Sequence, residues 1–137
     1  MRVILLIMIG ISLLQADISK SGNIVKDTTS NLEWQDNEVG TEVTWEDTLE
    51  RCESLELDGH SDWRVPNINE LTSIVDKSKY SPAIRSVFEN TSSSNYWSAS
   101  TGESYKYNAW GVYFSYGYMY SNLKGNNLYV RCVRDGQ

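Results

Sequence analysis

The sequence predicts an α+β domain with an opening β-hairpin, two helices and a C-terminal antiparallel sheet. A turn-forming cluster, residues 28–31, separates two short β-type segments, residues 23–27 and 32–36. Residues 44–77 contain two segments with apolar residues at helical spacing, each preceded by a capping residue. From residue 96 onward, β-type runs alternate with turns containing Gly, Asn and Ser. Segregation of helices and strands along a chain is typical of the α+β class.

The first sixteen residues have the pattern of a secretory signal peptide. Arg2 precedes an apolar stretch from Val3 to Leu14, and Ala16 stands before polar sequence. This stretch is shorter than the about 20 apolar residues that a membrane-spanning helix needs. We expect residues 1–16 to be a signal peptide and 17–137 to form one domain that is secreted, periplasmic or at the cell surface. No membrane insertion is expected after processing; an uncleaved anchor is the alternative.

The first predicted helix begins at Thr44, which stands three residues before Asp47 in an acidic capping arrangement. It ends near Leu57, because Asp58-Gly59 is a stop signal. Residues at spacings of three and four form its buried stripe: Trp45, Leu49, Cys52 and Leu55.

The second predicted helix follows an irregular stretch that ends at Pro66, whose ring forces Val65 out of helical geometry. Asn67 and Glu70 have the spacing of a capping box at its start. We expect this helix to run to about Lys77.

Four β-type runs make up the predicted C-terminal sheet: residues 96–100, 108–114, 118–121 and 128–134. Two-residue alternation places Trp110, Val112 and Phe114 on the core face, so Tyr113 should point away from the core. In the last strand the same alternation places Cys132 on the core face.

The two cysteines should form one disulfide. Cys52 lies on the apolar stripe of the first helix and Cys132 on the apolar side of the last strand. An even pair in an exported chain is typical of a disulfide. Closing a loop of roughly 80 residues is worth about 4.5 kcal/mol in the chain-entropy model.

Six groups of residues, in order, resemble one protein family. The resemblance is to the Lcl C-terminal domain family, which carries the C-terminal domain of the Legionella collagen-like adhesin. It covers essentially all of residues 17–137. The groups are Leu32-Glu33-Trp34-Gln35-Asp36; Trp45 with Cys52 and Leu55; Gly59 to Asn67 with Glu70-Leu71; Tyr96-Trp97-Ser98-Ala99-Ser100; Trp110-Gly111-Val112-Tyr113-Phe114 with Gly117; and Tyr129 to Arg134.

The resemblance implies a C-type-lectin-like fold, related to formylglycine-generating enzymes and to variable binding proteins of phages and bacteria. It also implies a bacterial, exported or surface-exposed protein that acts in adhesion. Adhesin members often carry a stalk, whereas this sequence contains a signal segment and one domain.

The tryptophans are expected to be structural. Large aromatic side chains dominate small cores, although indole rings can also stack on sugars. Charge-assisted hydrogen bonds should tie Asp62-Trp63-Arg64 to Glu70. The predicted structural residues are Trp34, Trp45, Trp63, Arg64, Trp97 and Trp110.

Tyrosines are concentrated in residues 105–120 and provide the best candidate binding surface. Tyrosine combines flat apolar area and a hydroxyl with little side-chain entropy to lose. The candidate ligand-binding residues are Tyr105, Tyr107, Tyr113, Tyr118 and Tyr120. A ligand surface, a contact between subunits of a homo-oligomer, and plain packing remain open alternatives.

The charge and the remaining residue types exclude several function classes. A formal charge of −6 disfavours a nucleic-acid partner, because an acidic domain repels phosphate. His60 has no free cysteine to pair with if the disulfide forms, so we expect no enzyme and no catalytic residue. We also expect no metal or cofactor; calcium at residues 36–38 or 58–62 is the alternative.

The sequence therefore predicts an exported, non-catalytic, adhesin-like recognition module that binds a glycan or protein outside the cytoplasm. The first alternative is an assembly subunit whose tyrosines make subunit contacts. The second is an enzyme related to formylglycine-generating enzymes. Those relatives use redox-active cysteines, whereas both cysteines here are predicted to face inward.

Overall fold

The computed structural model describes residues 17–102 and 104–136 of the chain. The predicted signal peptide, residues 1–16, lies outside the described residues. The elements in chain order are β1 (Ile18–Ser21), β2 (Ile24–Asp27), β3 (Leu32–Gln35), α1 (Trp45–Glu53), α2 (Ile68–Ser73), β4 (Asn95–Thr101), β5 (Asn108–Tyr113), β6 (Tyr118–Leu123) and β7 (Val133–Asp135). The α+β class is confirmed.

Two antiparallel sheets form the framework, with strand orders β1-β2-β3-β7 and β4-β5-β6. The prediction of one four-stranded C-terminal sheet is therefore wrong. β7 pairs with β3, where Trp34 lies opposite Val133 and Glu33 opposite Arg134. The last strand joins the N-terminal sheet because it supplies the apolar and charged partners that β3 needs, and the predicted opening hairpin becomes part of a larger sheet.

Both helices are shorter than predicted. α1 ends at Glu53, before the tight turn that joins Leu57 and His60 through reciprocal backbone hydrogen bonds of 3.0 Å. α2 ends at Ser73, because the chain then pairs Val75 with Ile84. A local turn therefore follows α1, and pairing with the segment around Ile84 follows α2.

The helix starts differ in how they are capped. Asn67 and Glu70 form the predicted capping box. Thr44 is the N-cap of α1, as predicted, but its side chain makes no cap hydrogen bond. The buried stripe of α1 also differs, because Thr48 is buried and Leu49 is exposed.

The core holds three of the five tryptophans. Trp34 and Trp97 are fully buried and Trp63 is buried, as predicted. Trp45, the first residue of α1, and Trp110, on the central strand β5, are only half-buried, so the predicted core placement of these two is met only in part. Val112 and Phe114 are fully buried, as the predicted alternation requires, whereas Ala109 of the opposite parity is fully buried as well, so the alternation holds only in part.

The predicted disulfide between Cys52 and Cys132 is present, with a Cα–Cα distance of 5.5 Å. Cys132 lies directly before β7 rather than within a long last strand. The bond therefore connects α1 to the segment that enters the N-terminal sheet. Within residues 17–102 and 104–136, no helix is long and apolar enough to cross a bilayer.

A buried ionic network surrounds Asp36, whose carboxylate accepts hydrogen bonds from the N–H groups of Glu89 and Asn90, each at 3.0 Å. Lys20 and Arg131 contribute ion pairs of 2.9 and 3.1 Å. Burial alone would raise the pKa of Asp36, but these hydrogen bonds and charges outweigh it and lower the pKa below its usual value. The network joins β1, β3, the loop after α2 and the approach to β7.

Candidate functional site

The turn between β5 and β6 positions the candidate site. Gly117 has a φ of +85°, and a Cβ there would lie 2.7 Å from Val75 Cγ1. The positive φ and the close approach both favour glycine. Ser81 N–H also donates to Ser115 O at 2.8 Å. The tip of the hairpin is therefore held against the loop that follows α2.

Four tyrosine rings contact one another at this tip, and we call them the tyrosine cluster: Tyr113, Tyr116, Tyr118 and Tyr120. Their ring centroids are separated by 5.9 Å for Tyr113–Tyr116, 6.2 Å for Tyr113–Tyr120 and 6.1 Å for Tyr116–Tyr118. Tyr116, Tyr118 and Tyr120 are 55%, 53% and 49% exposed. The cluster is a continuous aromatic surface open to solvent.

The strand register explains which rings meet. Tyr113 lies opposite Tyr118, and Gly111 lies opposite Tyr120, so three members share one face of the sheet through strand alternation. Tyr116 joins them from the turn. Tyr113 is half-buried rather than fully exposed, because the Tyr116 and Tyr120 rings flank it.

Tyr105 and Tyr107 lie apart from the cluster and form a separate edge-to-face pair at 5.4 Å. They precede Asn108, whereas the cluster begins at Tyr113, at the other end of β5. Five steps along a strand span about 17 Å. The predicted set of five tyrosines therefore divides into two groups. Tyr116 was missing from the predicted site because two-residue alternation says nothing about a residue in a turn.

The charges of the chain are unevenly distributed around this region. All 18 acidic residues lie within residues 17–103 or at Asp135, so residues 104–134 contain none. Of the four basic residues in that segment, Arg131 and Arg134 are buried in ion pairs, which leaves Lys106 and Lys124. The tyrosine cluster lies in an acid-free segment of an acidic protein.

The tryptophans offer less surface to a ligand. Trp45 donates through Nε1 to Ser98 O at 2.9 Å, and Lys124 Nζ lies 4.1 Å from the centroid of its ring. Trp63 donates through Nε1 to His60 O at 3.0 Å. These contacts assign both indoles structural roles.

Arg64 forms a bidentate ion pair with Glu70, at 2.7 and 2.8 Å, as expected. These bonds raise the pKa of Arg64 and lower that of Glu70 relative to their usual values. Arg64 is nevertheless half-buried rather than part of the core, and it also contacts Asp135 at 2.9 Å. Asp62 does not join this set. Its carboxylate pairs with Arg134 at 2.6 Å instead.

Two segments were considered for calcium, residues 36–38 and 58–62. In neither do unpaired carboxylates point toward a common position. Asp36 is occupied by its ionic network, and Asp58 accepts two hydrogen bonds from Asn23, at 2.8 and 2.9 Å. Among the residues that the structure describes, no group of three or more His, Cys, Asp and Glu is placed to hold a metal ion.

Comparisons with known proteins place the chain in a family. No curated protein matches the sequence. The Lcl C-terminal domain family matches residues 23–134, which include both helices, both cysteines and the whole tyrosine cluster. On this match the chain belongs to the Lcl C-terminal domain family.

Proposed function

We propose that this protein is an exported, non-catalytic recognition module that binds a glycan or protein ligand outside the cytoplasm. The observation that carries the proposal is the tyrosine cluster, four rings connected by three ring–ring contacts, with three of the rings about half exposed. The membership of the chain in the Lcl C-terminal domain family supports an adhesin-associated role.

The cluster suits recognition because its rings restrain one another before any ligand arrives. Tyr116 and Tyr118 stack with an interplanar angle of 25°, and Tyr113 meets both Tyr116 and Tyr120 edge-on. A restrained aromatic surface loses little conformational entropy on binding, and its hydroxyls add hydrogen bonds. The surface can therefore contribute both contact area and directional bonds.

The disulfide supports an oxidising compartment. Disulfides persist in secreted, periplasmic and surface proteins and are rare in the cytosol. The Cys52–Cys132 bond, together with the signal-like residues 1–16, favours export. We assign the protein to the secreted, periplasmic or cell-surface class, and the fold to the C-type-lectin-like superfamily. The family match, the single disulfide and the two small antiparallel sheets support that assignment.

A binding role also fits the state of the cysteines. Both are fully buried and bonded to each other. Thiolate chemistry requires an accessible, deprotonated sulfur. The redox-cysteine activity of formylglycine-generating enzymes is therefore not assigned to this chain.

Binding should be measured on arrays of immobilised glycans and extracellular proteins with two variants. The first carries Tyr116→Ser, Tyr118→Ser and Tyr120→Ser. The second carries Tyr105→Ser and Tyr107→Ser, which removes the same chemistry from the other end of the hairpin. We expect the first to weaken binding about tenfold or more, and the second to retain it.

Thermal unfolding supplies the control for folding. Substitutions at exposed positions usually change the free energy of unfolding by no more than about 0.5 kcal/mol. Both variants should therefore unfold at nearly the same temperature as the parent. Parental affinity in the first variant would contradict the proposal. Loss of affinity in the second variant alone would move the site to the Tyr105–Tyr107 pair.

A further inference from the structure

β6 is an edge strand without the usual protection against pairing. It forms one side of the sheet β4-β5-β6, and its six residues, Tyr118 to Leu123, include no charged residue and no proline. Its register with β5 runs without a bulge. Natural edge strands are normally protected by charges, prolines, bulges or a covering segment.

The other sheet edges contrast with it. Tyr129 covers the outer edge of β4 through backbone bonds with Asn95 and Trp97, at 3.0 and 2.8 Å. Arg64 exchanges two backbone bonds of 2.8 Å with Val133 at the outer edge of β7. β1 is only four residues long and contains Lys20.

The hydrogen-bond pattern identifies the outward backbone groups of β6. Lys124 N–H donates to Tyr107 O at 2.9 Å, one step beyond the paired strands. Bonded and non-bonded pairs alternate in an antiparallel ladder, so Met119, Ser121 and Leu123 direct their N–H and C=O groups away from β5. These groups form an open row along the edge, apart from the C=O of Leu123, which accepts a hydrogen bond from Asn126 N–H at 2.9 Å and offers its second lone pair.

We propose that β6 pairs antiparallel with β6 of a second copy of this chain and forms a dimer. The edge is self-complementary. A twofold axis at Ser121 places Met119 opposite Leu123 of the second copy, so two exposed apolar side chains cover each other.

Charge permits a second copy at this edge, although it opposes one elsewhere on the surface. Two copies of a chain with a charge of −6 repel each other through most of their surface. Residues 104–134 contain none of the acidic residues, so like carboxylates do not oppose each other at this edge. An isologous pair can therefore form here at little electrostatic cost.

The dimer would extend the proposed binding surface. A twofold axis perpendicular to the sheet turns the same face of both copies in one direction, so the two tyrosine clusters share one side of a six-stranded sheet. Two linked sites increase avidity toward a repetitive ligand without any new contact. This consequence rests on the proposed function, whereas the pairing itself does not.

Light scattering after size exclusion, across a range of micromolar concentrations, tests the pairing. Ser121→Pro removes an outward N–H and no β5–β6 backbone bond, its only loss to β5 being the long Asn108 Nδ2 to Ser121 Oγ contact of 3.5 Å, so it should shift the protein from twice the monomer mass to the monomer mass. Ser121→Thr keeps the N–H group and should remain dimeric. Proline is tolerated on edge strands whose N–H faces solvent, so the variant should fold.

A second pair of variants tests the same edge through charge. Met119→Lys places a charge opposite Leu123 of the second copy, where the pairing needs an apolar side chain, and should raise the dissociation constant about tenfold or more. Ser93→Lys adds the same charge at an exposed loop residue outside both sheets and should change nothing. Intact thermal unfolding would show that each variant is folded.

Three results would overturn the pairing: a monomer at every concentration, a dimer unaffected by both edge variants, or a monomer whose β6 edge instead binds an extended peptide. Failure of the proposed ligand binding can be distinguished from failure of the pairing. The Ser121→Pro protein retains the tyrosine cluster, so its affinity for a single ligand site is measured separately from its mass.

Discussion

The N-terminal sheet and the β5–β6 hairpin differ in where they keep their polar and aromatic groups. The N-terminal sheet and the segment entering β7 contain all the buried charged residues of the described chain: Asp27, Glu33, Asp36, Arg131 and Arg134. In the hairpin and its turn the buried polar side chain is the neutral Ser115, and tyrosines face the solvent. One region is stabilised by buried ion pairs and the disulfide, whereas the other presents exposed aromatic rings.

This division separates stability from recognition. A buried charge that loses its partner is strongly destabilising, so the N-terminal region tolerates little change. Exposed side chains contribute little to folding and can vary at low cost. A binding surface on the hairpin can therefore change while the ionic network keeps the framework constant.

Removing the disulfide is the strongest test of the stabilised region. Replacing both Cys52 and Cys132 with alanine should lower the free energy of unfolding by about 4.5 kcal/mol in the chain-entropy model, because the bond closes a loop of 80 residues. Urea unfolding of the double variant measures the loss. Unchanged stability would contradict the assignment of the disulfide to the framework.

Asp36→Asn should have the second largest effect, a loss of about 3 kcal/mol, because it leaves Arg131 and Lys20 without their carboxylate. The lowered pKa of Asp36 predicts the pH dependence. Its contribution is present above the unfolded-state pKa of about 3.9 and is lost as the pH falls through the folded-state value. As the pH is lowered, the free energy of unfolding should therefore fall less steeply in the variant than in the parent. Equal slopes of the free energy of unfolding against pH would argue against this role of Asp36.

Gly117→Ala measures how much the turn between β5 and β6 contributes to the free energy of unfolding. The positive φ and the contact with Val75 predict a loss of about 2 kcal/mol. Gly125→Ala is the matched control, because a Cβ there meets no heavy atom within 4 Å. Ligand binding should weaken in the first variant only, since the turn places Tyr116 in the cluster. Equal behaviour of the two variants would contradict the role of the turn.

Local signals predicted several features correctly. The hairpin of β2 and β3 follows from a turn cluster between β-type segments, and the capping box of α2 from the spacing of Asn67 and Glu70. The cysteine pair followed from two patterns: Cys52 lies on the apolar stripe of the first helix, and strand alternation places Cys132 on the core side. The bond is present even though Leu49 of that stripe is exposed. Each of these signals depends on residues a few positions apart.

Long-range partners decided the rest. The destination of β7 depends on β3, about a hundred residues earlier, and no local pattern contains that information. The end of α2 likewise depends on the pairing of Val75 with Ile84, which lies beyond the helix. Tyr116 entered the cluster because the turn folds it onto Tyr113 and Tyr118.

The amino-acid sequence by itself determined the α+β class, the alternation of buried and exposed side chains and the cysteine pair, because these follow from backbone periodicity and residue chemistry. Only the tertiary structure decided which sheet receives the last strand, which tyrosines meet and which edge stays open. The pairing of the last strand depends on contacts between residues distant in the chain, and the meeting of the tyrosines depends on a turn that packs against Val75 and Ser81, so both arise only when the whole core packs.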